Sequence, residues 1–359
     1  MTYNDPKVPY NDLPLLPPDT GLDEAFLTKS LIEARVVLAK LDQATSSSNF
    51  TAALAAAIPL VEAQASSAIE NIVTTHDDLF TAAVDNAITG DKSLEAVMRY
   101  HAAIGQAVTY LETKPINPAL TKLICSQILG VDEGFREIPG TRVGEKNDGT
   151  VVYTPPFGRE VLEALLANWA NFVNDSKYDP IIKMALSHYQ FEAIHPFRDG
   201  NGRTGRIINL LQLKADGLLK YPVLHLSRVI KDDLANYYRL LQEATEQRNY
   251  TPWVAYMIEK VRAAAEIALF QLEQLGEYSR ELQLKGDALF KGGIPSALLA
   301  AVTDYPYCTI KQVMEKCEVT RPTAAKWLEL LESGNLLVSL VRGRNKYFVN
   351  RRVLRILYP

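Results

Sequence analysis

The chain has 359 residues, 47% of them hydrophobic, with 38 Lys and Arg against 42 Asp and Glu and a formal net charge of −4. That length predicts two or three domains with ample cores, and the mild acidity gives no whole-chain reason to expect nucleic acid or a membrane as partner. Three cysteines without C-x-x-C spacing argue against a disulfide framework and a zinc site; with no signal peptide and no apolar run of spanning length expected, the chain is read as cytoplasmic.

The first 20 residues carry Pro6, Pro9, Pro14, Pro17 and Pro18, which predict an extended arm rather than a helix. An apolar stripe through Leu22, Phe26, Leu31, Val37, Leu38 and Leu41 predicts a helix to about Ala44, broken by Ser46, Ser47, Ser48 and Asn49. Residues 61–72, VEAQASSAIENI, read as another helix, with Ser66 and Glu70 four apart on one face. Taken alone, that pair is a helix surface with a solvated glutamate. Helical pattern returns from Leu79 to about Leu111, interrupted at Gly90-Asp91, and Asn117-Pro118 opens a helix to about Leu129.

Residues 136–156 change character. Asn147-Asp148-Gly149 before Thr150-Val151-Val152-Tyr153 predicts a hairpin, and a lone strand edge in a helical chain is suited to pairing with another polypeptide. From Tyr178 to Ile194 the sequence is apolar almost all round, with Asp179 as N-cap and Pro180 at the first helical position. That predicts a buried central helix ending at His195.

The densest chemistry follows in FEAIHPFRDGNGRTGR, Phe191 to Arg206. His195 can take a proton near neutral pH. Asp199 is a hard oxygen ligand suited to Mg²⁺. Gly200, Asn201 and Gly202 let backbone N–H groups converge on an anion, and the helix expected after Gly202 adds its free first-turn N–H groups. Arg203 and Arg206, three apart, project from one side of that turn. Base, metal ligand, anion nest and two guanidinium groups describe a polyphosphate site. No P-loop pattern occurs in the chain.

HPFRDGNGRTGR resembles the HPFx[DE]GNGRxxR signature of Fic-domain proteins, which transfer AMP from ATP to protein hydroxyls; every fixed position is met. The resemblance implies that His195 deprotonates the target hydroxyl, that Phe197 anchors the loop, and that Asp199 holds Mg²⁺ on the phosphates. It also implies that Gly200, Asn201, Gly202, Thr204 and Gly205 border the nucleotide, with Arg203 and Arg206 on its β- and γ-phosphates. Phosphorylating relatives carry Lys where this chain has Gly202, which favours AMP transfer. S-x-x-x-E-N at Ser66 to Asn71 is similar to the family's inhibitory motif, whose glutamate pairs with the second arginine. That implies a contact between Glu70 and Arg206. A flap at about 136–156 would hold a target peptide beside the base.

Further on, Arg228 to about Glu246 predicts one helix carrying Tyr237 and Tyr238. Either tyrosine is equally a core aromatic, and the resemblance places Tyr238 at the nucleotide. His76, His101, His188 and His225 lack metal-ligand spacing and are read as structural or surface residues. Thr251 to about Phe290 is a long helical run, and Gly292-Gly293 marks a linker. Beyond it, three short helices and two strands around Arg342-Gly343-Arg344-Asn345 resemble a winged helix-turn-helix, with Thr320 as cap of its recognition helix. From residue 292 onward ten Lys and Arg face five Asp and Glu. Arg321, Lys326, Arg342, Arg344, Arg351 and Arg352 could meet DNA phosphates, although such units serve equally in docking or homodimer formation.

The expected fold is therefore mainly α. A Fic-fold core at 91–291 bears a small hairpin flap, an N-terminal region at 1–90 carries the inhibitory helix, and a winged helix occupies 292–359. The expected activity is protein adenylyltransferase, with ATP as substrate and Mg²⁺ as cofactor. Two rivals are AMP removal in the same pocket and a DNA-binding regulator whose nucleotide site is a sensor.

Overall fold

The computed structural model describes residues 5–48, 50–85, 90–144, 151–342 and 345–358. Along these the chain runs α1 (Glu24–Ser47), α2 (Thr51–Ile69), α3 (His76–Asp85), α4 (Lys92–Leu111), α5 (Pro118–Leu129), α6 (Arg159–Asp175), α7 (Pro180–Ile194) and α8 (Asn201–Ala215). Then come α9 (Leu226–Lys231), α10 (Leu234–Gln247), α11 (Thr251–Leu289), α12 (Ser296–Asp304), β1 (Tyr307–Cys308), α13 (Ile310–Cys317), α14 (Arg321–Ser333), β2 (Val338–Arg342), β3 (Asn345–Val349) and α15 (Arg351–Leu357).

Everything is arranged around α7. The Asp179 side chain accepts from Ile181 N–H, Pro180 sits in the first turn, and nearly every side chain of the helix is buried. Helices α6, α8 and α11 pack against it. Two tryptophans fasten it from opposite neighbours. Trp169 of α6 donates to the Ser187 carbonyl (3.0 Å), and Trp253 of α11 donates to the Ala185 carbonyl (2.8 Å). A buried indole needs an acceptor, and here it finds one on the same central helix.

The N-terminal arm is extended, as its prolines predict, and tied down. Tyr10 N–H donates to the Thr154 carbonyl, Asn168 exchanges two hydrogen bonds with Leu16, and Gln190 donates to the Pro14 carbonyl. Tyr10, Leu13 and Leu16 are buried in the core.

Helix α2 corrects an expectation. It is long and apolar enough to cross a membrane by length and composition, with a mean hydropathy of 1.4, yet 72% of that window is buried within the protein. It is a core helix packed on α4 and α9.

Other elements also differ from expectation. Helix α6 had no counterpart in the sequence reading. The single helix expected from Arg228 is two, α9 and α10, with Asp232 and Asp233 between them. The expected flap appears as one antiparallel bridge, Val143 with Tyr153. Its turn, Asn147 to Gly149, lies outside the described residues.

The C-terminal unit follows α11, a continuous helix of 39 residues, roughly 58 Å at 1.5 Å per residue. Its sheet has three strands in the order β1-β3-β2, all antiparallel, with Val338 opposite Val349 and Tyr307 opposite Val349 across the two edges of β3. Sequence had offered two strands and no final helix. Tyr307-Cys308 is too short to read as a strand alone. Thr320 stands at the N-cap of α14 but makes no capping bond, since its hydroxyl pairs with that of Thr323. Gly343 and Arg344 lie outside the described residues.

Candidate nucleotide site at the α7–α8 junction

His195 closes α7 in the left-handed region, φ 49° and ψ 59°, unusual for a residue with a Cβ. Two bonds hold it there: its own N–H donates to the Phe191 carbonyl (3.0 Å), and its carbonyl accepts from Arg136 Nε (2.7 Å). Arg136 is itself buried and also donates to the carbonyls of Ile194 and Pro156. One guanidinium thus gathers the carbonyls that end α7.

The loop to α8 is clasped from inside. The Asn201 amide accepts from Phe197 N–H (2.9 Å) and donates to the Phe197 carbonyl (2.8 Å), leaving neither end of that buried side chain for a ligand. Its side chain is thus a loop clasp, while its backbone N–H stays in the first turn of α8. Phe197 is fully buried against Phe135 and Phe191. Gly200 then adopts φ 79° and starts α8 without a side-chain cap, so the first-turn N–H groups face outward at the positive end of the helix.

Arg203 and Arg206 sit on that turn. Arg203 is nearly buried and pairs with Asp199 (3.2 Å), whose carboxylate is 72% exposed. Arg206 is 1% exposed and reaches across to α2. It donates to Ser66 Oγ (2.8 Å), the Ser66 carbonyl (3.0 Å) and Glu70 Oε1 (2.9 Å). Burial opposes the guanidinium charge, but Glu70 together with Tyr237 and Tyr100 offsets this and holds the Arg206 pKa above its ordinary value.

The Glu70 carboxylate also lies directly over Gly202. A Cβ placed there would stand 2.7 Å from Glu70 Oε1. The absent Cβ at Gly202 lets the carboxylate settle this close to the first turn of α8; any side chain there would make it shift.

Two residues assigned to the nucleotide from sequence face inward instead. The Thr204 side chain is fully buried. Gly205 lies against α7, where a Cβ would stand 2.5 Å from Glu192 Oε1. From a helix starting at Asn201, positions 203 and 206 share a face that 204 and 205 leave.

Beside His195 opens a cavity of about 480 Å³ whose lining includes Val143, Tyr153, Glu192, His195, Tyr238 and Leu241. Tyr238 is at its wall, whereas Tyr237 is buried and bonded to His188 Nε2 (2.8 Å). Asp199, Arg203 and Arg206 do not line this cavity. Arg206 is nonetheless close enough to act electrostatically on Glu192 and Tyr238 in its wall.

Burial and then the Arg136 charge push His195 down to about 4. The ring is neutral at pH 7, able to accept a proton. Two buried carboxyls escaped the sequence reading. Glu192 is pushed up to about 7, first by burial, with Arg206 opposing, and its Oε1 has no hydrogen-bond partner. Glu62 is likewise raised to about 7 by burial, opposed by Ser227, whose N–H and hydroxyl both donate to it. Acids inside apolar helices were the available signal for both.

The family comparisons agree with this geometry. Residues 28–109 match the Fic/DOC family N-terminal profile, 117–213 the Fic/DOC family profile, and 296–353 the profile of the protein adenylyltransferase SoFic-like C-terminal domain. The chain belongs to the Fic/DOC family. Among curated Fic relatives, a probable protein adenylyltransferase of Aquifex aeolicus is 30% identical over 192 residues, 54% of this chain. Protein adenylyltransferase fic-1 of Caenorhabditis elegans is 38% identical over 66 residues, 18% of this chain. The chain spans about half the length of the first relative (52%) and 13% of the second. A Fic family protein from Desulfovibrio desulfuricans shares the fold, with a TM-score of 0.58 at 21% identity over 93% of this chain and 98% of that one. Fic-1 of C. elegans does so with a TM-score of 0.53 at 21% identity, over 68% and 72%.

Two outcomes follow for this Fic chain. Asn201→Ala leaves Phe197 N–H without its acceptor inside the protein and should cost about 1–3 kcal/mol in urea unfolding. The second concerns pH. His188, His195 and His225 are lowered to about 3, 4 and 4 by burial, so from pH 6.5 toward 4 they bind protons only when unfolded. Glu62 and Glu192 act the opposite way between 4.5 and 7, being protonated only when folded. Three against two favours the unfolded chain on acidification, and the urea midpoint should fall from pH 6.5 to 5.

Proposed function

We propose that this chain is a protein adenylyltransferase that moves AMP from ATP to a hydroxyl side chain of a target protein or of itself. In this reaction the hydroxyl oxygen attacks the α-phosphorus. The bond from that phosphorus to the bridging oxygen breaks and pyrophosphate leaves. His195, neutral at pH 7, takes the hydroxyl proton. The first-turn N–H groups of α8 with Arg203 receive phosphate charge, and Arg206 meets the γ-phosphate once Glu70 has moved. Tyr238 and the cavity beside His195 would hold the base.

Asp199 fits a magnesium ligand: its carboxylate is exposed beside Arg203 on the phosphate side, and Mg²⁺ commonly takes one carboxylate and completes its shell with phosphate oxygens and water. The ion would supply charge neutralisation at the phosphates. The strand edge at Val143 and Tyr153 is our candidate docking edge for a target peptide. We divide the chain into an N-terminal region at 1–90, a catalytic core at 91–291 and a winged helix at 292–359 with DNA or a second copy as partner. The need for ATP and three unpaired cysteines favour the cytoplasm.

The observation that carries the proposal is the Glu70 carboxylate lying on Gly202 in the grip of Arg206. An acidic side chain there takes the place of the nucleotide's last phosphate, so the resting state is self-restrained. Replacing Glu70 with Gly should raise AMP transfer, including self-modification, by roughly tenfold to a hundredfold. A partly shielded charged pair is worth about 1–3 kcal/mol and 1.4 kcal/mol is a factor of ten. Incorporation from α-labelled ATP measures this, with His195→Ala in the same background as the inactive control. Flat or lowered incorporation would sink the restraint, and label loss from pre-modified protein would point to AMP removal.

A further inference from the structure

Helix α3 begins six residues after Glu70 and is engaged by the C-terminal unit along its whole length. Arg342, at the end of β2, bonds Asp78 and lies 3.8 Å from Asp77. The Tyr307 hydroxyl bonds Asp77, and the Tyr347 hydroxyl bonds Asp85. Asn345 donates to Asp85 (3.0 Å). Between these contacts the Phe80 ring stacks on Tyr307 at 5.4 Å and meets the Tyr358 edge at 5.0 Å.

Asp77 and Asp78 would be favourable in the first turn of any helix, but Asp85 is at the last residue, where the dipole disfavours an acid. Its place is explained by Tyr347 and Asn345. Beside it lies a cavity of about 610 Å³ whose walls include Asp85, Lys311, Arg321, Asn345 and Lys346. Arg321 opens α14, the second helix of the helix-turn-helix pair, and Lys346 is on the hairpin that follows it. So α3 lies where the start of that helix and the hairpin converge, with its carboxylates among their cations. The unit has an excess of five positive charges by sequence, ten Lys and Arg against five Asp and Glu. Such a face, helix start plus basic hairpin, matches the groove and backbone of a duplex.

We propose that α3 covers a DNA-binding face of the C-terminal unit, that a duplex takes this face in exchange for α3, and that the exchange loosens Glu70 from Arg206. The last step rests on the restraint described above; the first two do not. The mechanical link is short. Residues 71–75 join α2 to α3 and are folded back on α2, with Ile72 N–H on the Ser67 carbonyl (3.0 Å) and Gln64 Nε2 on the Thr74 carbonyl (2.8 Å). Displacing α3 pulls directly on the segment that ends at Glu70.

The test uses the full chain and a mixed-sequence DNA duplex. Fluorescence anisotropy across a salt series compares the parent with the Asp77→Asn, Asp78→Asn, Asp85→Asn triple variant. The variant should bind about tenfold tighter or more at equal salt, since three competing carboxylates are gone while their shape is kept. Hydrogen exchange over residues 66–75 should quicken when duplex is added to the parent. Self-modification should then rise about threefold to tenfold in the parent and stay level in Glu70→Gly. Equal duplex affinity in parent and variant, or none in either at low salt, overturns the DNA face. Competition by polyglutamate but not by duplex overturns it in favour of an acidic protein. Tighter binding with unchanged exchange over 66–75 overturns the link to Glu70. Quickened exchange with no AMP transfer in any variant upholds the link and defeats the enzymatic proposal instead. If the triple variant fails to fold, Arg342→Gln should weaken duplex binding and quicken exchange in α3, and no change in either overturns the proposal.

Discussion

A guanidinium with 1% of its surface exposed must find every acceptor inside the protein, and Arg206 finds its acceptors on a helix 136 to 140 residues earlier in the chain. That requirement binds α2 to α8. Burying such a charge without partners is prohibitively costly, and Ser66 supplies partners that do not depend on the carboxylate. Two of the three bonds come from Ser66, one of them from its backbone. Arg206 therefore keeps a footing on α2 even when the carboxylate moves away. The site can exchange its anion without unmaking the helix pair.

Helix α2 shows what that arrangement asks of a sequence. Its composition is apolar enough to pass for a membrane span, yet Glu62, Ser66 and Glu70 recur every four residues and form one polar stripe. Its three members share two partners: Ser227 of α9 for Glu62, and Arg206 of α8 for Ser66 and Glu70. A lipid-facing helix would have no use for such a stripe. Here it registers α2 against two neighbours at once.

Much of the central site was legible because its chemistry is local. His195, Asp199, Gly200, Gly202, Arg203 and Arg206 fall within twelve residues, and their spacing alone predicts a turn feeding a helix start. The clasp that the Asn201 side chain makes on Phe197 was not legible, because its type suits either a ligand or a loop and only the fold shows the bonds. That Thr204 and Gly205 point away from the arginines follows from helical phase, which a motif read as a string does not carry. Arg136 and Ser227 could not be found at all, since each acts through elements remote in sequence. The link between Glu70 and Arg206 was legible only through family resemblance, because no periodicity connects positions so far apart. Helix α6 was simply overlooked. The break between α9 and α10 at Asp232-Asp233 was there to be seen, in two adjacent poor helix formers.

The missing Cβ at Gly202 makes the two sides of the Glu70 contact unequal as places for inherited change. Nearly any replacement at position 70 removes the carboxylate and leaves the cradle open. Any side chain at position 202 would instead stand 2.7 Å from the carboxylate oxygen and 2.9 Å from the Arg206 guanidinium. Both of those atoms end flexible side chains, so the carboxylate and the guanidinium would have to shift aside. A change at position 70 thus sheds the contact and leaves the cradle's own atoms as they are, whereas one at position 202 alters the cradle itself.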